Sequence, residues 1–260
     1  MKIVAFKLKT IRIAITLSLV VLLLSIFTLS INAETIYFGY SDRKVPIYSV
    51  DTGDEKLVAL SFDAAWGADK TSDIIKILKD NDVGGTFFLV GFWSEKYQDK
   101  IKEISDAGLD IGTHSNTHPK MSTLSESQII SELSVSCDLI KNVTGKPVRF
   151  FRPPYGDYNN LLLQSASGLG LQTIQWSVDS LDWKGLSSAQ ILARVKAGIH
   201  PGAIVLFHNN ADHIVEALPQ IIAFLKQEGY KCVKMSDLVM QSDYTIDVNG
   251  KQISTKGNKN

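Results

Sequence analysis

Residues 57–89 read LVALSFDAAWGADKTSDIIKILKDNDVGGTFFL, and this stretch decides the fold class. It contains an apolar run, a polar loop, a segment with apolar residues at helical spacing, and a second apolar run that follows two glycines. Parallel strands that are buried on both faces have such continuous apolar runs, and a helix usually connects them. The stretch therefore predicts a strand–helix–strand unit of a parallel α/β sheet.

The same unit repeats along the chain. Strand-like apolar runs occur at Leu57–Phe62, Gly85–Leu89, Leu109–Gly112, Val148–Phe151, Leu171–Ser177, Ala203–Phe207 and Tyr230–Val233. Helical patterns lie between them, at residues 70–81, 94–107, 125–142, 158–168, 187–199 and 211–228. This alternation predicts an α/β fold, a distorted (β/α) barrel of about seven parallel strands, with an open doubly wound sheet as the alternative.

The ends of the chain differ in character from the repeating region, residues 57–240. Residues 1–33 combine basic residues with a long apolar run and end at Ala33, which predicts either a cleaved signal peptide or a retained membrane anchor. Both alternatives place the remainder outside the cytoplasm, secreted or anchored at the cell surface. Residues 34–56 are interpreted as a lead-in segment with a short strand. Residues 241–260 are interpreted as a polar tail with a short terminal strand followed by disorder.

Charge and cysteine content limit the class of partner. After residue 33 the net charge is −4 and no basic tract is visible, which argues against nucleic acid as a partner. An uncharged polymer such as a glycan suits this balance better. Cys137 and Cys232 lie far apart and without metal-ligand spacing, so they are interpreted as small buried apolar residues, with a disulfide left open.

Polar residues follow five of the predicted strands at their carboxyl ends, where functional residues gather in parallel α/β sheets. In chain order they are Asp63, His114 and His118, Arg152 and Tyr155, Asp179 with Asp182 and Trp183, and His208. Each of them alone has a simpler structural interpretation, such as a helix cap or a rigid turn. Together they supply the metal ligands, base, acid and positioning cation that metal-assisted hydrolysis requires.

The pair His114 and His118 is the clearest sign of metal binding among these residues. HxxxH spacing brings both imidazoles to one side if the loop begins as a helical turn, close enough to share one ion. Arg152 precedes two prolines that fix its backbone, and its guanidinium suits holding a carboxylate. His208 can act as a general acid or base near neutral pH.

Five motifs occur in a fixed order: SFDxxxG at residues 61–67, THSxxHP at 113–119, RPPYG at 152–156, DSxDW at 179–183 and LFH at 206–208. Together they resemble the polysaccharide deacetylases with a NodB homology domain (carbohydrate esterase family four), and the resemblance covers residues 57–240. The N-terminal segment and the motif SFDxxWG also resemble the subgroup linked to sporulation and cell-wall maturation.

The resemblance implies a hydrolase of carbon–nitrogen bonds that removes N-acetyl groups from an amino-sugar polymer, such as peptidoglycan or a chitin-like glycan. It implies a divalent metal ion, usually zinc in this family, with His114 and His118 as ligands. Asp63 would be the general base, Arg152 its charged partner, and His208 the acid that protonates the leaving amine.

The resemblance also implies roles for the neighbouring residues. Asp182, or alternatively Asp179, would tune His208. The backbone N–H of Tyr155 would stabilise the oxyanion of the tetrahedral intermediate. Trp183 and Leu206 would line the apolar pocket for the acetyl methyl group.

One departure from the family pattern concerns the metal site. The family has two adjacent aspartates after the first strand, and the second, a metal ligand, is Ala64 in this chain. Because catalytic zinc sites normally keep three protein ligands, a weakened site is expected, with Asp63 or Asp69 as candidate substitutes. Asn209 also stands where an acid is common.

Ala64 supports an alternative function, a non-catalytic glycan-binding or structural cell-wall protein on the same fold. A third interpretation keeps hydrolysis but assigns it to O-acetyl esters.

Overall fold

The computed structural model describes residue 13, residues 15–28 and residues 43–256. Residues 15–28 are helical (α1) with exposed side chains, and they belong to a different unit from the one that begins at Val45. Within the described ranges, no helix is long and apolar enough to span a membrane. Most of the remaining predicted targeting segment lies outside the described residues, so the signal or anchor function stays a prediction.

A mostly parallel sheet is the centre of the unit that begins at Val45. Its strands are β1 (Ser49–Val50), β2 (Leu57–Ala64), β3 (Thr86–Leu89), β4 (Asp110–Thr113), β5 (Phe150–Phe151), β6 (Gln172–Thr173), β7 (Val178–Asp179), β8 (Ala203–His208), β9 (Lys231–Val233), β10 (Tyr244–Ile246) and β11 (Lys251–Ser254). They lie in the order β10-β11-β1-β8-β2-β3-β4-β5-β6, with β7 beside β8 and β9 beside β2.

The sheet curls into a distorted barrel. Parallel pairing runs from β8 through β2, β3, β4 and β5 to β6. Ile174, directly after β6, then bridges to Ile47, which precedes β1. The N–H of Ile47 donates to the carbonyl of Thr173 at 2.9 Å, and the N–H of Gln175 donates to the carbonyl of Ile47 at 2.7 Å. The bridge joins the β6 edge of the curled sheet to the segment that leads into β1, and the predicted barrel is confirmed over the open sheet.

Helices cover the outer face of the sheet. They are α2 (Thr71–Asp80), α3 (Gly91–Lys96), α4 (Gln98–Asp106), α5 (Glu126–Thr144), α6 (Asn160–Gly168), α7 (Ser188–Gly198) and α8 (Ile214–Gln227). The short helix α9 (Met235–Leu238) instead packs against strand residues of the interior face, in a cluster with Ala59, Phe88 and Ile204. Ser125 and Ser187 begin α5 and α7 with capping boxes, which satisfy free backbone donors of the first turn. Gly145 ends α5 with a φ of 68°, a left-handed conformation that glycine adopts without strain.

The alternation of side chains along β2 and β8 positions the polar residues. Phe62 and Phe207 are paired in register, lie in the core between sheet and helices, and stack with ring centroids 5.6 Å apart. Asp63 and His208, the next pair in register, point to the opposite face because successive side chains of a strand alternate. Two chemically active side chains therefore lie together on the interior face of the barrel.

Two predicted elements are divided in the structure. The predicted helix 94–107 is α3 followed by α4, because Tyr97 has non-helical dihedral angles (φ −122°, ψ 52°). The predicted strand Leu171–Ser177 is β6 followed by β7. The chain changes neighbours between them, since Gln175 still bonds to Ile47 while the N–H of Ser177 donates to Ile204.

The residues after α9 form a hairpin. β10 pairs antiparallel with β11, and β11 pairs in parallel with β1. Gln252 is buried, and its side-chain amide bonds to both backbone groups of Met240. The prediction of one short terminal strand is therefore wrong, whereas the short strand predicted in the lead-in segment is confirmed as β1.

The two cysteines are free thiols that lie in different apolar clusters. Cys232 is buried in the main core, and Cys137 is half-buried beside α6. Burial raises the pKa of each thiol to about 12. The interpretation as a small buried apolar residue is confirmed for Cys232, whereas Cys137 packs against an apolar cluster but is only half-buried.

Candidate active site

Asp63 and Arg152 form a buried ion pair at the carboxyl end of β2. The Nη1 of Arg152 donates to Oδ1 of Asp63 at 2.8 Å, and its Nη2 donates to Ser61 Oγ at 2.8 Å and to the carbonyl of Gln175 at 3.1 Å. Burial alone would raise the pKa of Asp63, but the charge of Arg152, with smaller contributions from His114, holds it below its ordinary value. The Asp63 carboxylate is therefore ionised and fixed in orientation.

His208 pairs with Asp182 at the end of β8. Asp182 is fully buried in a 3₁₀ turn, where Oδ2 accepts from the backbone N–H of His208 at 2.8 Å and Oδ1 lies 2.7 Å from its Nδ1. Burial lowers the pKa of His208, but the hydrogen bond and charge of Asp182 raise it above the ordinary value overall. Asp179 instead accepts from the N–H of Leu181 and stabilises its own turn. Asp182, rather than Asp179, is thus the partner of His208.

His114 and His118 approach each other without a helical turn. Their ring centroids are 4.9 Å apart, but residues 114–118 are not helical, and Ser115 and His118 have φ values of 70° and 60°. The helical turn expected from the HxxxH spacing is therefore wrong. Two left-handed residues bring the rings together instead, and Ser115 Oγ accepts from the N–H of His118 at 3.0 Å.

Left-handed residues are concentrated in the loops around this site. Six non-glycine residues of the described chain have positive φ, and four of them are Ser115, His118, Tyr155 and Leu181. Such conformations are strained for residues with a Cβ, and they persist where the surrounding structure enforces them, commonly at functional sites. The loops therefore place their side chains at a cost in backbone energy.

The histidine rings present nitrogens that suit a metal ion. The Nδ1 of His114 lies 2.7 Å from the carbonyl oxygen of Arg152, which can only accept, so Nδ1 carries the proton and Nε2 has a free lone pair. That Nε2 lies 3.5 Å from Oδ2 of Asp63. The Nδ1 of His118 is buried and has no hydrogen-bond partner in the described part of the chain. Burial lowers the pKa of both rings, that of His118 to about 4, which keeps them neutral as metal ligation requires.

Among the described residues, neither Ala64 nor Asp69 supplies a third protein ligand beside these rings, and the nearby carboxylate of Asp63 is paired with Arg152. Ala64 is fully buried and offers only a methyl group, while Asp69 is exposed in the loop before α2. Over residues 43–256 and the described part of α1, no group of three or more His, Cys, Asp or Glu side chains could hold a metal ion. The residues present thus fit a divalent ion through two imidazoles, and Asp69 as a substitute ligand is not supported.

The other predicted site residues lie on neighbouring loops. Tyr155 is exposed, and its ring packs edge-on against His118 with centroids 4.6 Å apart. Leu206 is buried on the same face of β8 as His208. Trp183 is exposed next to Asp182, with the ammonium of Lys184 5.1 Å from its ring centroid.

Two residues that the sequence analysis did not assign hold the site loops. Glu132, on α5, accepts from the backbone N–H groups of Asn116 and Thr117 at 2.8 Å each, and so fixes the loop between the histidines. Asn209 is buried and donates to the carbonyl of Gly67 and to the hydroxyl of Thr71. An acid at position 209 could not donate these hydrogen bonds, which explains the amide there.

Comparisons with known proteins identify a family and several similar chains. The family model described as polysaccharide deacetylase matches residues 50–174. A peptidoglycan-N-acetylglucosamine deacetylase of Bacillus cereus is 33% identical over 71% of this chain and 69% of its own. The peptidoglycan-N-acetylmuramic acid deacetylase PdaA of Bacillus subtilis is 34% identical over 74% of each chain. The chain spans 60% of the uncharacterized protein YlxY of Bacillus subtilis, at 31% identity.

One group of similar solved structures includes a protein that is described as a pseudoenzyme. Wild-type BA3943 from Bacillus anthracis, described as a CE4 family pseudoenzyme, aligns with a TM-score of 0.73 and 38% identity over 76% of this chain and 71% of its own. A BA3943 mutant described as having restored enzymatic activity aligns with the same TM-score and 40% identity, over 76% and 72% of the two chains. The fold is therefore shared by active and inactive proteins.

Proposed function

The chain belongs to the polysaccharide deacetylase family, and from that membership we propose that it is an extracytoplasmic N-deacetylase of an N-acetylated glycan of the peptidoglycan class. The main support for the proposal is the position of a carboxylate and an imidazole on the adjacent strands β2 and β8, each with its own charged partner. Arg152 keeps the carboxylate of Asp63 ionised, and Asp182 raises the pKa of His208 so that its ring can carry a proton. A base and an acid with pKa values moved apart by their environments are what amide hydrolysis requires.

The proposed reaction uses these residues in fixed roles. Asp63 removes a proton from the attacking water, whose oxygen bonds to the acetyl carbon, and Arg152 keeps the carboxylate aimed. The backbone N–H of Tyr155 stabilises the oxyanion. His208 gives its proton to the nitrogen as the carbon–nitrogen bond breaks, and the products are acetate and a free amino sugar. Leu206 and Trp183 border the space for the acetyl methyl group.

His114 and His118 are the residues that would hold a divalent ion, of which zinc suits imidazole ligands well. When bound, such an ion supplies Lewis acidity toward an acetyl carbonyl. Two features of the described residues support this assignment, the unpartnered Nδ1 of His118 and the lowered pKa of both rings.

Acetate release from peptidoglycan and from N-acetylglucosamine oligomers tests the proposal. We expect the purified full-length protein to release acetate with added zinc, and Asp63→Asn or His208→Ala to reduce the rate by at least about 100-fold. Bound zinc, counted by metal analysis, should be retained in His208→Ala and lost in His114→Ala. Release that is unchanged in Asp63→Asn would show that another group is the base.

A second candidate function is glycan binding without catalysis, and two observations favour it. Ala64 offers no ligand atom, and the described residues contain no group of three metal-ligating side chains. The wild-type BA3943 protein, to which the fold is similar, is described as a pseudoenzyme. Absence of acetate release from wild type, together with release from Ala64→Asp, would support this candidate. Equal release from both proteins would show that the two histidines suffice.

A further inference from the structure

In residues 43–256, the substantially exposed aromatic side chains lie at one end of the barrel. Apart from α1, the large aromatic residues that are substantially exposed in the described chain are Trp66 (64%), Tyr155 (63%), Trp183 (58%) and Phe92 (39%). Each of them follows the carboxyl end of a strand: β2, β5, β7 and β3 respectively. Apolar side chains exposed elsewhere on this unit are aliphatic. Exposed apolar groups that cluster in this way mark a binding surface more often than chance exposure does.

Three of these residues form a continuous row with His118. The ring centroids of Phe92 and Trp66 are 6.4 Å apart, those of Trp66 and His118 are 5.0 Å apart, and those of His118 and Tyr155 are 4.6 Å apart. We call Phe92, Trp66 and Tyr155 the aromatic row. It begins at the candidate active site and extends away from it over the loops that follow β2 and β3.

Trp66 is held in place although it contributes little to the core. The carbonyl of the next residue, Gly67, accepts from Trp93 Nε1 at 2.6 Å and from Asn209 Nδ2 at 3.0 Å. Gly67 has a φ of 67°, and a Cβ there would lie 2.5 Å from the side chain of Asn210. The loop is therefore anchored from two sides directly beside an indole that is almost two-thirds exposed. Anchoring of this kind preorganises a contact surface for a ligand.

We propose that the aromatic row binds the sugar ring adjacent to the one that is deacetylated, with Trp66 stacking on the C–H face of that ring. The inference rests on the proposed function, because it takes the glycan as the ligand. A pyranose offers an apolar face and a polar rim, and an indole combines an apolar face with one N–H donor. The row itself carries no charged side chain, so its chemistry fits an uncharged sugar rather than an anionic group.

Binding of an N-acetylglucosamine tetramer to the full-length protein tests the row. We expect Trp66→Ala to weaken binding at least about tenfold in isothermal titration, and Trp66→Phe to recover part of the loss. Tryptophan fluorescence should change on addition of the tetramer to wild type, and this change should be smaller in Trp66→Ala. Leu161→Ala, which removes an exposed aliphatic side chain on α6, is the matched control and should bind like wild type.

The outcomes separate this inference from the proposed function. Equal affinity of wild type and Trp66→Ala, or no binding of the tetramer to folded wild type, would overturn the role of the row. Binding that depends on Trp66 without acetate release by wild type would support the row and contradict the proposed hydrolysis. A circular-dichroism melt of each variant shows that a loss of affinity does not come from unfolding.

Discussion

Arg152 brings a permanent positive charge into the barrel interior, where it is fully buried. Its terminal nitrogens donate to Asp63, to Ser61 and to the carbonyl of Gln175, and its guanidinium carbon lies 4.2 Å from the ring centroid of Phe88. A planar guanidinium can make these diverging hydrogen bonds and stack on an aromatic ring at the same time, whereas a lysine ammonium cannot. Arg152 therefore fixes the ionisation of Asp63 and also connects three parts of the interior.

Replacing Arg152 should destabilise the protein strongly. We expect Arg152→Met to lower the free energy of unfolding by about 3–5 kcal/mol, because it leaves the buried charge of Asp63 without a partner. Urea unfolding near pH 7 measures the change. The double variant Arg152→Met/Asp63→Asn should lose less than the sum of the two single variants. Strict additivity would show that the two side chains do not interact.

Asp182 should control the pH dependence that His208 contributes to stability. A histidine whose pKa is raised on folding adds stability that is complete below about pH 6.5 and is lost as the pH rises through the folded value. In Asp182→Asn the burial that lowers the pKa of His208 remains, opposed only by the smaller influence of the Asp63 and Asp179 charges, so this pKa should fall, as followed by NMR titration of the ring protons. The stability difference between wild type and the variant should be larger at about pH 5.5 than at about pH 8.5. An equal difference at both pH values would contradict this account.

At the scale of elements, strands were predictable and the loops between them were not. The strand-end rule located Asp63 and His208, because apolar runs identify β2 and β8 directly. The approach of His114 to His118 was predicted for the wrong reason, since left-handed non-glycine residues have no sequence signal. The break of the helix at Tyr97 likewise depends on tertiary packing that no local pattern shows.

Some site residues were missed because their role is set by distant partners. Glu132 lies on α5 in a pattern typical of a solvated helix face, yet it fixes a loop that is far away in sequence. The indole of Trp66 was visible in the sequence, but its exposure was not. Contacts between elements decide these roles, and a single sequence does not contain them.

Two glycines at helix ends should respond in opposite ways to one substitution. Gly145 has a φ of 68° and Gly168 has ordinary helical geometry, and a Cβ would meet no atom within 4 Å at either position. Gly145→Ala should therefore lower the free energy of unfolding by about 1 kcal/mol, through backbone strain alone. Gly168→Ala should raise it by about 0.5–1 kcal/mol, through higher helix propensity. Urea unfolding of both variants checks the signs, and a loss in both would point to hidden crowding.

At the scale of the whole molecule, the C-terminal hairpin belongs to the barrel. The backbone N–H of Tyr48 donates to the carbonyl of Gly250 at 2.8 Å, and the backbone N–H of Asp51 donates to the carbonyl of Gln252 at 2.8 Å. These bonds fix the segment whose Ile47 bridges to Ile174 and so closes the curled sheet. The hairpin thus supports the closure of the barrel rather than extending freely from it.

Removal of this hairpin should be measurable in a truncated chain. A protein that ends at Gln241 should unfold with a free energy about 3–5 kcal/mol lower, because several ladder hydrogen bonds and the buried amide of Gln252 are lost. A protein that ends at Lys256 keeps both strands and is the control. Thermal melts of the two proteins give the comparison, and identical midpoints would mean that the hairpin adds nothing to closure.

The pairing of β1 with β11 also has a consequence for synthesis. Ser49 and Lys251 are partners, so about 200 residues must leave the ribosome before β1 gains this neighbour. Until then one edge of β1 is open on the nascent chain, and an open strand edge can pair with another polypeptide. The order of translation thus makes the pairing of β1 with β11 one of the last strand contacts that the chain can complete.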